Sequence, residues 1–337
     1  MKGLRNFFFL AITSAVAVLA FFACINTKAV GAAKKHEYAS SQQAVPEYHN
    51  PQYALPSEKE SSNDKAQSAA ASGTVQGAVK ERFISPYNAG LSYNNVYVKN
   101  KTSFDINLKE ELEQKLSFVI DKNNQPQVLI VHTHTTESYM NEDRDYYTDA
   151  DYSRSTDEKQ NMTAIGEIFA QQLNAAGIKT VHDKTVHDYP SYTGSYSRSA
   201  DTIKAALTKY PSIKVVVDIH RDAIMANNAD KTKPVVEIDG KKAAQVMLVM
   251  GSQDGNVTGF EDWRQNFRLA IRYHQIMEVM YPGLARPLVL AAKKYNEHLT
   301  TGSMLLEVGT DANSFEEACR SAEYAGKALA ALLNTVR

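Results

Sequence analysis

Val128-Leu129-Ile130-Val131-His132-Thr133-His134-Thr135-Thr136-Glu137 decides how the rest of the chain is read. Four consecutive apolar residues, mostly β-branched, form the pattern of a strand buried on both faces. Such strands belong to sheets covered by helices on either side. Two imidazoles and a carboxylate follow at once. Open α/β sheets build their sites just beyond the carboxyl ends of strands, so metal-type side chains stand here where a site is expected.

Downstream, helix and strand patterns alternate. Helices are expected over 161–176 with Gly177 as the stop, over 199–210 ending near Pro211, over 261–280 closed by Pro282-Gly283, and over 314–335. Ser314 followed by Glu317 reads as a capping box for the last of these. Strands are expected over 178–182, 213–219, 245–250, 288–291 and 304–308. The alternation predicts an α/β fold, a mixed, largely parallel sheet with helices on both faces.

Upstream, the stretch 32–79 is rich in Ala, Ser, Gln and Lys and nearly lacks large aliphatic residues. It cannot bury enough apolar surface to offset its ordering entropy. A disordered tether is expected over 32–91, leaving a catalytic domain over 92–337. Before it, Lys2 and Arg5 precede an uncharged run of 19 residues from Phe7 to Ile25. That length just spans a bilayer, which needs about 20 residues, and it exceeds a usual signal-peptide core of roughly 7–15. Val30-Gly31-Ala32 resembles a cleavage site, so 1–31 is expected to be a transmembrane anchor or a signal. Either reading places the remaining chain outside the cytoplasm, as a single-pass protein of the cell membrane if the anchor is retained.

The 37 basic and 38 acidic side chains leave a net charge of −1, which argues against a nucleic-acid protein. Cys24 and Cys319 are placed too differently to imply a disulfide framework.

Three strand ends carry chemistry. The first brings His132, His134 and Glu137, the second Asp218 and His220, the third Glu307. A His-x-x-Glu step plus one imidazole from another strand makes three protein ligands and leaves a position for water, which is the catalytic zinc arrangement. His134, Glu137 and His220 are therefore expected to hold Zn2+. Glu307 ends the apolar Met304-Leu305-Leu306 and is the expected catalytic residue, moving protons outside the ligand set. On a period of two, positions 132 and 134 share a face, so either can be the ligand, and the spacing favours His134. His132, Asp218 and Arg221 are then expected to touch the ligands or the substrate.

Each signal alone has an ordinary explanation. A His-x-His or Asp-x-His at a strand end is commonly just polar, and Glu307 could pair with Arg221. Their combination across three strand ends is what points to a site. His182, Asp183, His187 and Asp188 form a further cluster, expected to be a substrate-lining or structural loop. The tyrosines and hydroxyls of 189–196 are a weak sign of glycan or peptide contact. Trp263 reads as a packing residue.

The segments Val131-His132-Thr133-His134-Thr135-Thr136-Glu137-Ser138-Tyr139, Pro190-Ser191-Tyr192, Val217-Asp218-Ile219-His220-Arg221-Asp222-Ala223, Tyr281-Pro282-Gly283-Leu284 and Leu305-Leu306-Glu307-Val308-Gly309 resemble the stage II sporulation protein P family, over about residues 95–335. The resemblance implies a fold similar to zinc amidases and carboxypeptidases. It implies a hydrolase of peptidoglycan, a zinc-dependent N-acetylmuramoyl-L-alanine amidase with endopeptidase action on cross-links. It also implies septal wall remodelling during endospore engulfment, at the engulfment septum or forespore membrane, beside stage II sporulation proteins D and M. The order His134, Glu137, His220, Glu307 matches that of the carboxypeptidases. The amidase relatives draw their Glu ligand from the start of the first helix, so Asp157 and Glu158 stand as alternatives to Glu137. Two other readings are a zinc peptidase acting only on stem peptides and a non-catalytic wall-binding or partner-activating protein.

Overall fold

A computed structural model of the chain describes residues 73–226 and 228–337. The expected anchor or signal over 1–31 lies outside the described residues. Among the described residues, no helix is long and apolar enough to cross a membrane.

The chain runs β1 (Val75–Arg82), β2 (Leu91–Tyr93), β3 (Val96–Asn100), α1 (Leu108–Glu113), β4 (Val128–Val131), β5 (Tyr146–Thr148), α2 (Met162–Ala175), β6 (Thr180–His182) and α3 (Ser195–Lys209). It continues through β7 (Val215–Asp222), β8 (Lys231–Ile238), β9 (Lys241–Ala244), β10 (Val246–Gly251), α4 (Trp263–Met280), β11 (Leu288–Ala291), β12 (Ser303–Thr310) and α5 (Phe315–Leu333). The main sheet has eight strands in the order β2-β3-β11-β10-β12-β7-β4-β6. Its pairs are parallel except β2 with β3 and β10 with β12. It is the mixed, largely parallel sheet the alternation predicts.

Burial explains why β4 is apolar at every position. Val128 and Ile130 pack with Val215, Val217 and Ile219 of β7, Met304, Leu306 and Val308 of β12, and residues of α2, α4 and α5. Leu129 and Val131 point the other way, onto Val216 and Ile203 of α3. Helices therefore cover both faces. Gly177 follows α2 at φ 80, the left-handed conformation that closes a helix at low cost in glycine. Ser314 caps α5 by accepting from Glu317 N, while the Glu317 carboxylate accepts from Ser314 N.

A second sheet, β5-β1-β8-β9, lies outside every strand expected from sequence. Its strand β1 falls in the stretch assigned to the tether. Val75–Arg82 has little apolar content of its own and is ordered by pairing with β5 and β8, which are distant in sequence. The folded part thus begins earlier than residue 92.

Candidate active site at the strand ends

The register places the functional row. β7 and β12 run parallel, with Asp218 opposite Leu305 and His220 opposite Glu307. Val215, Val217 and Ile219 fill the face carrying α2, so Asp218 and His220 emerge on the α3 face, and Glu307 emerges there from the next strand. Parallel pairing puts these side chains at one edge together with the end of β4.

His132 and His134 do not share a face, contrary to the period-two expectation. Strand pairing stops at Val131, and residues 133–136 form a turn. His132 continues the alternation of β4 onto the α2 face. There it is fully buried, its Nδ1 donating to Ile219 O at 2.9 Å and its Nε2 lying 2.9 Å from His182 Nε2. Burial, then the neighbouring His182, lowers its pKa to about 3. Gly166 of α2 permits this packing, since a Cβ there would sit 2.5 Å from His132 Nε2 and 2.6 Å from His182 Nε2. The turn swings His134 to the opposite side, with its ring centroid 5.2 Å from that of His220.

Glu137 joins them. Its Oε2 is 3.7 Å from His220 Nδ1 and accepts from Arg221 N at 3.2 Å. Its Oε1 faces Arg221 Nη1 at 3.7 Å and Arg154 Nη2 at 3.6 Å. Arg221 is further held by Ser138 O and Ser153 O, so it partners Glu137 rather than Glu307. The other side of His220 meets Asp218, with Nε2 2.9 Å from Oδ1 but outside hydrogen-bond geometry. Asp218 is fixed by Thr133, accepting from N at 2.8 Å and from Oγ1 at 2.6 Å. Burial works against the charge on both partners. For His220 it is outweighed by Asp218, which lifts the imidazole to about 9. For Asp218 it is outweighed by His220 and Thr133, which hold the carboxyl near 2.

Glu307 is buried and its Oε2 has no hydrogen-bond partner. Burial, then the nearby Asp222 carboxylate, pushes its pKa up to about 8. Arg286 donates to Asp222 Oδ2 at 2.9 Å, while its own Nε and Nη2 are unpartnered.

His134 has hydroxyls at both ring nitrogens. Tyr192 Oη lies 3.2 Å from Nε2, and Ser195 Oγ lies 3.4 Å from Nδ1. The Tyr192 ring stacks on the imidazole at 4.6 Å and 10°. Burial, then His220, lowers the His134 pKa to about 3. As placed, no group of three His, Cys, Asp or Glu side chains among the described residues converges on a point that could hold an ion. His134, Glu137 and His220 are neighbours whose donor atoms face each other, two guanidiniums and two hydroxyls.

The remaining expected residues separate from this centre. Asp157 and Glu158 are exposed, and Asp157 Oδ1 accepts from Lys159 N. His187 bridges His132 O and Thr202 Oγ1, and Asp188 holds Thr136 and Arg154. Both belong to the structural frame under the turn, while Asp183 accepts from Thr185 N on its own loop. Trp263 stacks on Phe104. The reading from sequence missed Arg154 and Arg286, whose spacing to the strand ends carries no signal, and saw Ser195 only as one hydroxyl of the loop 189–196. Tyr192 was visible only as part of a tyrosine-rich loop.

Fold and site define an α/β protein with a buried imidazole–carboxylate centre at the carboxyl ends of adjacent strands. The chain belongs to the stage II sporulation protein P family, whose model matches residues 16–330. It is 33% identical over 211 residues to the stage II sporulation protein P of Bacillus subtilis (strain 168), covering 59% of this chain and 49% of that relative. The match thus spans about half the length of the curated relative. Among solved structures it is similar to the N-acetylmuramyl-L-alanine amidase Ami1 of Mycobacterium abscessus, apo form (TM-score 0.35, 13% identity, 62% of this chain and 96% of that one). A second is Ami1 of Mycobacterium smegmatis (TM-score 0.35, 12% identity, 65% and 100%). At those scores the structural likenesses carry no weight for the activity.

Proposed function

We propose that this protein is a zinc-dependent peptidoglycan hydrolase that cleaves the amide between N-acetylmuramic acid and the L-alanine of the stem peptide. One observation carries the reading. His134, Glu137, His220 and Glu307 lie side by side at the strand ends, and the buried Glu307 Oε2 has no hydrogen-bond partner. Leaving a buried polar atom unpaired costs about 1–3 kcal/mol, so such atoms mark a place built to receive something. Two imidazoles and a carboxylate are the donor types of a catalytic zinc, and His134, Glu137 and His220 would hold it. When bound, zinc lowers the pKa of water toward roughly 7 and polarises a scissile carbonyl.

The chain's own groups divide the remaining work. Glu307 Oε2 takes the proton of the attacking water and hands it to the leaving amide nitrogen. Burial makes its carboxylate a stronger base than a solvated glutamate. Asp218 holds the His220 ring from its Nε2 side, so that Nδ1 is turned toward Glu137. The backbone N–H of Arg221 fixes the Glu137 carboxylate by donating to its Oε2. Family membership supports a wall substrate, a role in engulfment at the septum or forespore membrane, and stage II sporulation proteins D and M as partners. The apolar run from Phe7 to Ile25 would tether the domain to the membrane.

The test is digestion of purified sacculi by the full chain, with mass spectrometry of the fragments. Free intact stem peptides released in the presence of zinc and lost with Glu307→Gln support the proposal. Shortened peptides still attached to sugar mean a peptidase. Binding without any fragments means a non-catalytic wall protein. Either of those two results overturns it.

A further inference from the structure

His134 cannot ligate an ion while both its nitrogens are occupied. Tyr192 covers the ring face and sets its hydroxyl 3.2 Å from Nε2. Glu137 is hindered separately, because its Oε1 faces the cations of Arg154 and Arg221. Arg154 is common to both restraints. Its guanidinium lies 4.9 Å from the centre of the Tyr192 ring, a cation–π distance, and its Nη1 is anchored 2.6 Å from Asp188 Oδ2. Asp188 is buried and tied to the turn through Thr136. One side chain thus clamps the strap 189–195 against His134 and neutralises Glu137.

We infer that Arg154 and Tyr192 form a latch that competes with a divalent cation for His134 and Glu137, so that ion capture and release of the strap are one coupled step. The inference rests on the reading of those two residues as ligands. The strap has a place to turn: Gly194, at φ 85, precedes α3. A cation shifts this equilibrium only by its differential affinity for the two arrangements. The coupling is reciprocal. Whatever lifts Tyr192 from His134, such as a glycan strand entering along the strap, tightens ion binding by the same factor. The site would then be assembled where its substrate is.

Removing one neutral hydrogen bond from the closed state predicts roughly two- to tenfold tighter ion binding. Zinc alone is titrated into the full chain in competition with a chromophoric chelator, and amide exchange of 189–195 is followed with and without zinc. Tyr192→Phe keeps the ring and removes the hydroxyl. It is expected to bind zinc roughly two- to tenfold more tightly, and zinc is expected to speed exchange across the wild-type strap. If Tyr192→Phe binds zinc as wild type does or more weakly, or if strap exchange ignores zinc, the latch is wrong while the ligand set stands. If Ser195→Ala tightens binding and Tyr192→Phe does not, the competing hydroxyl is at Nδ1 and the latch is overturned in that form. If wild type binds zinc no better than His134→Ala, the ligand reading itself fails and the latch falls with it.

Discussion

Two of the molecule's buried charge clusters are built in opposite ways. Between β8 and the start of α5, Lys233 is buried against Glu317 at 3.0 Å, with Asp143 also on its ammonium and Glu81 3.4 Å away. Glu317 in turn accepts from Asn313 Nδ2 and Ser314 N. Nearby, Lys231 pairs with Asp311 at 2.7 Å and lies over the Tyr147 ring. No fully buried side-chain nitrogen or oxygen of Lys231, Lys233, Asp311 or Glu317 is left without a partner. At the ends of β4, β7 and β12 the charges are as deeply buried, yet Glu307 Oε2 and two nitrogens of Arg286 are unpartnered, and His220 Nε2 faces Asp218 outside hydrogen-bond geometry. A saturated cluster has nothing left with which to bind or exchange protons. An unsaturated one keeps donors and acceptors available at a cost in stability, which is the ordinary signature of a working site.

Exchange of one residue in each cluster should therefore give opposite phenotypes. Glu307→Gln is expected to lower release of wall fragments by about 10²–10⁴-fold, the range for loss of a general acid–base group, with the melting temperature unchanged or raised. A melting temperature lowered by many degrees would erase the contrast. Lys233→Met is expected to destabilise by about 3–5 kcal/mol in urea unfolding, because Glu317 keeps its buried charge without its cation. Fragment release per folded molecule should stay the same. A change below about 1 kcal/mol, within the range of a surface ion pair, would show that the saturated cluster is wetter than its burial implies.

The two regions also differ in how far sequence alone reveals them. The site row was legible because β4, β7 and β12 are short apolar runs that each end in a titratable side chain, and because sheets of this class place sites at such ends. The cap of α5 was legible from Ser314 and Glu317. The small sheet was not. Lys231 and Lys233 lie inside β8 and break its apolar pattern, and β1 and β5 are strands only because distant segments pair with them. The division between His132 and His134 was hidden by the turn at 133–136, which depends on Asp188 and Asp218 gripping Thr136 and Thr133 from far along the chain. Arg154 and Tyr192 lie in loops, where spacing fixes no direction.

Gly166→Ala sharpens the comparison at the junction of the site with the core. The added methyl would overlap both imidazoles of the His132–His182 pair. Overpacking of this kind costs about 1–3 kcal/mol. Because His132 Nδ1 donates to Ile219 O, next to His220, part of the strain should reach the site. The variant is expected to weaken zinc binding as well as stability. Lost stability with unchanged zinc affinity would mean that His132 is core alone.

Glu278 is the intermediate case and carries the smallest effect. It is a buried carboxylate with no cation, satisfied by backbone N–H groups of Gly283 at 3.1 Å and Ala285 at 2.8 Å. Burial raises its pKa, and the two N–H groups only partly oppose the shift. The sign follows from linkage. A carboxyl raised in the folded state holds its proton after the unfolded chain has released it, so ν_U is smaller than ν_N and stability falls as pH rises above the ordinary glutamate value. Glu278→Gln removes that contribution while keeping an acceptor for the loop. Chemical unfolding of both proteins from pH 4 to pH 7 should therefore show the variant gaining on wild type as pH increases. A difference that stays flat, or runs the other way, would place Glu278 with the fully compensated charges around Lys233.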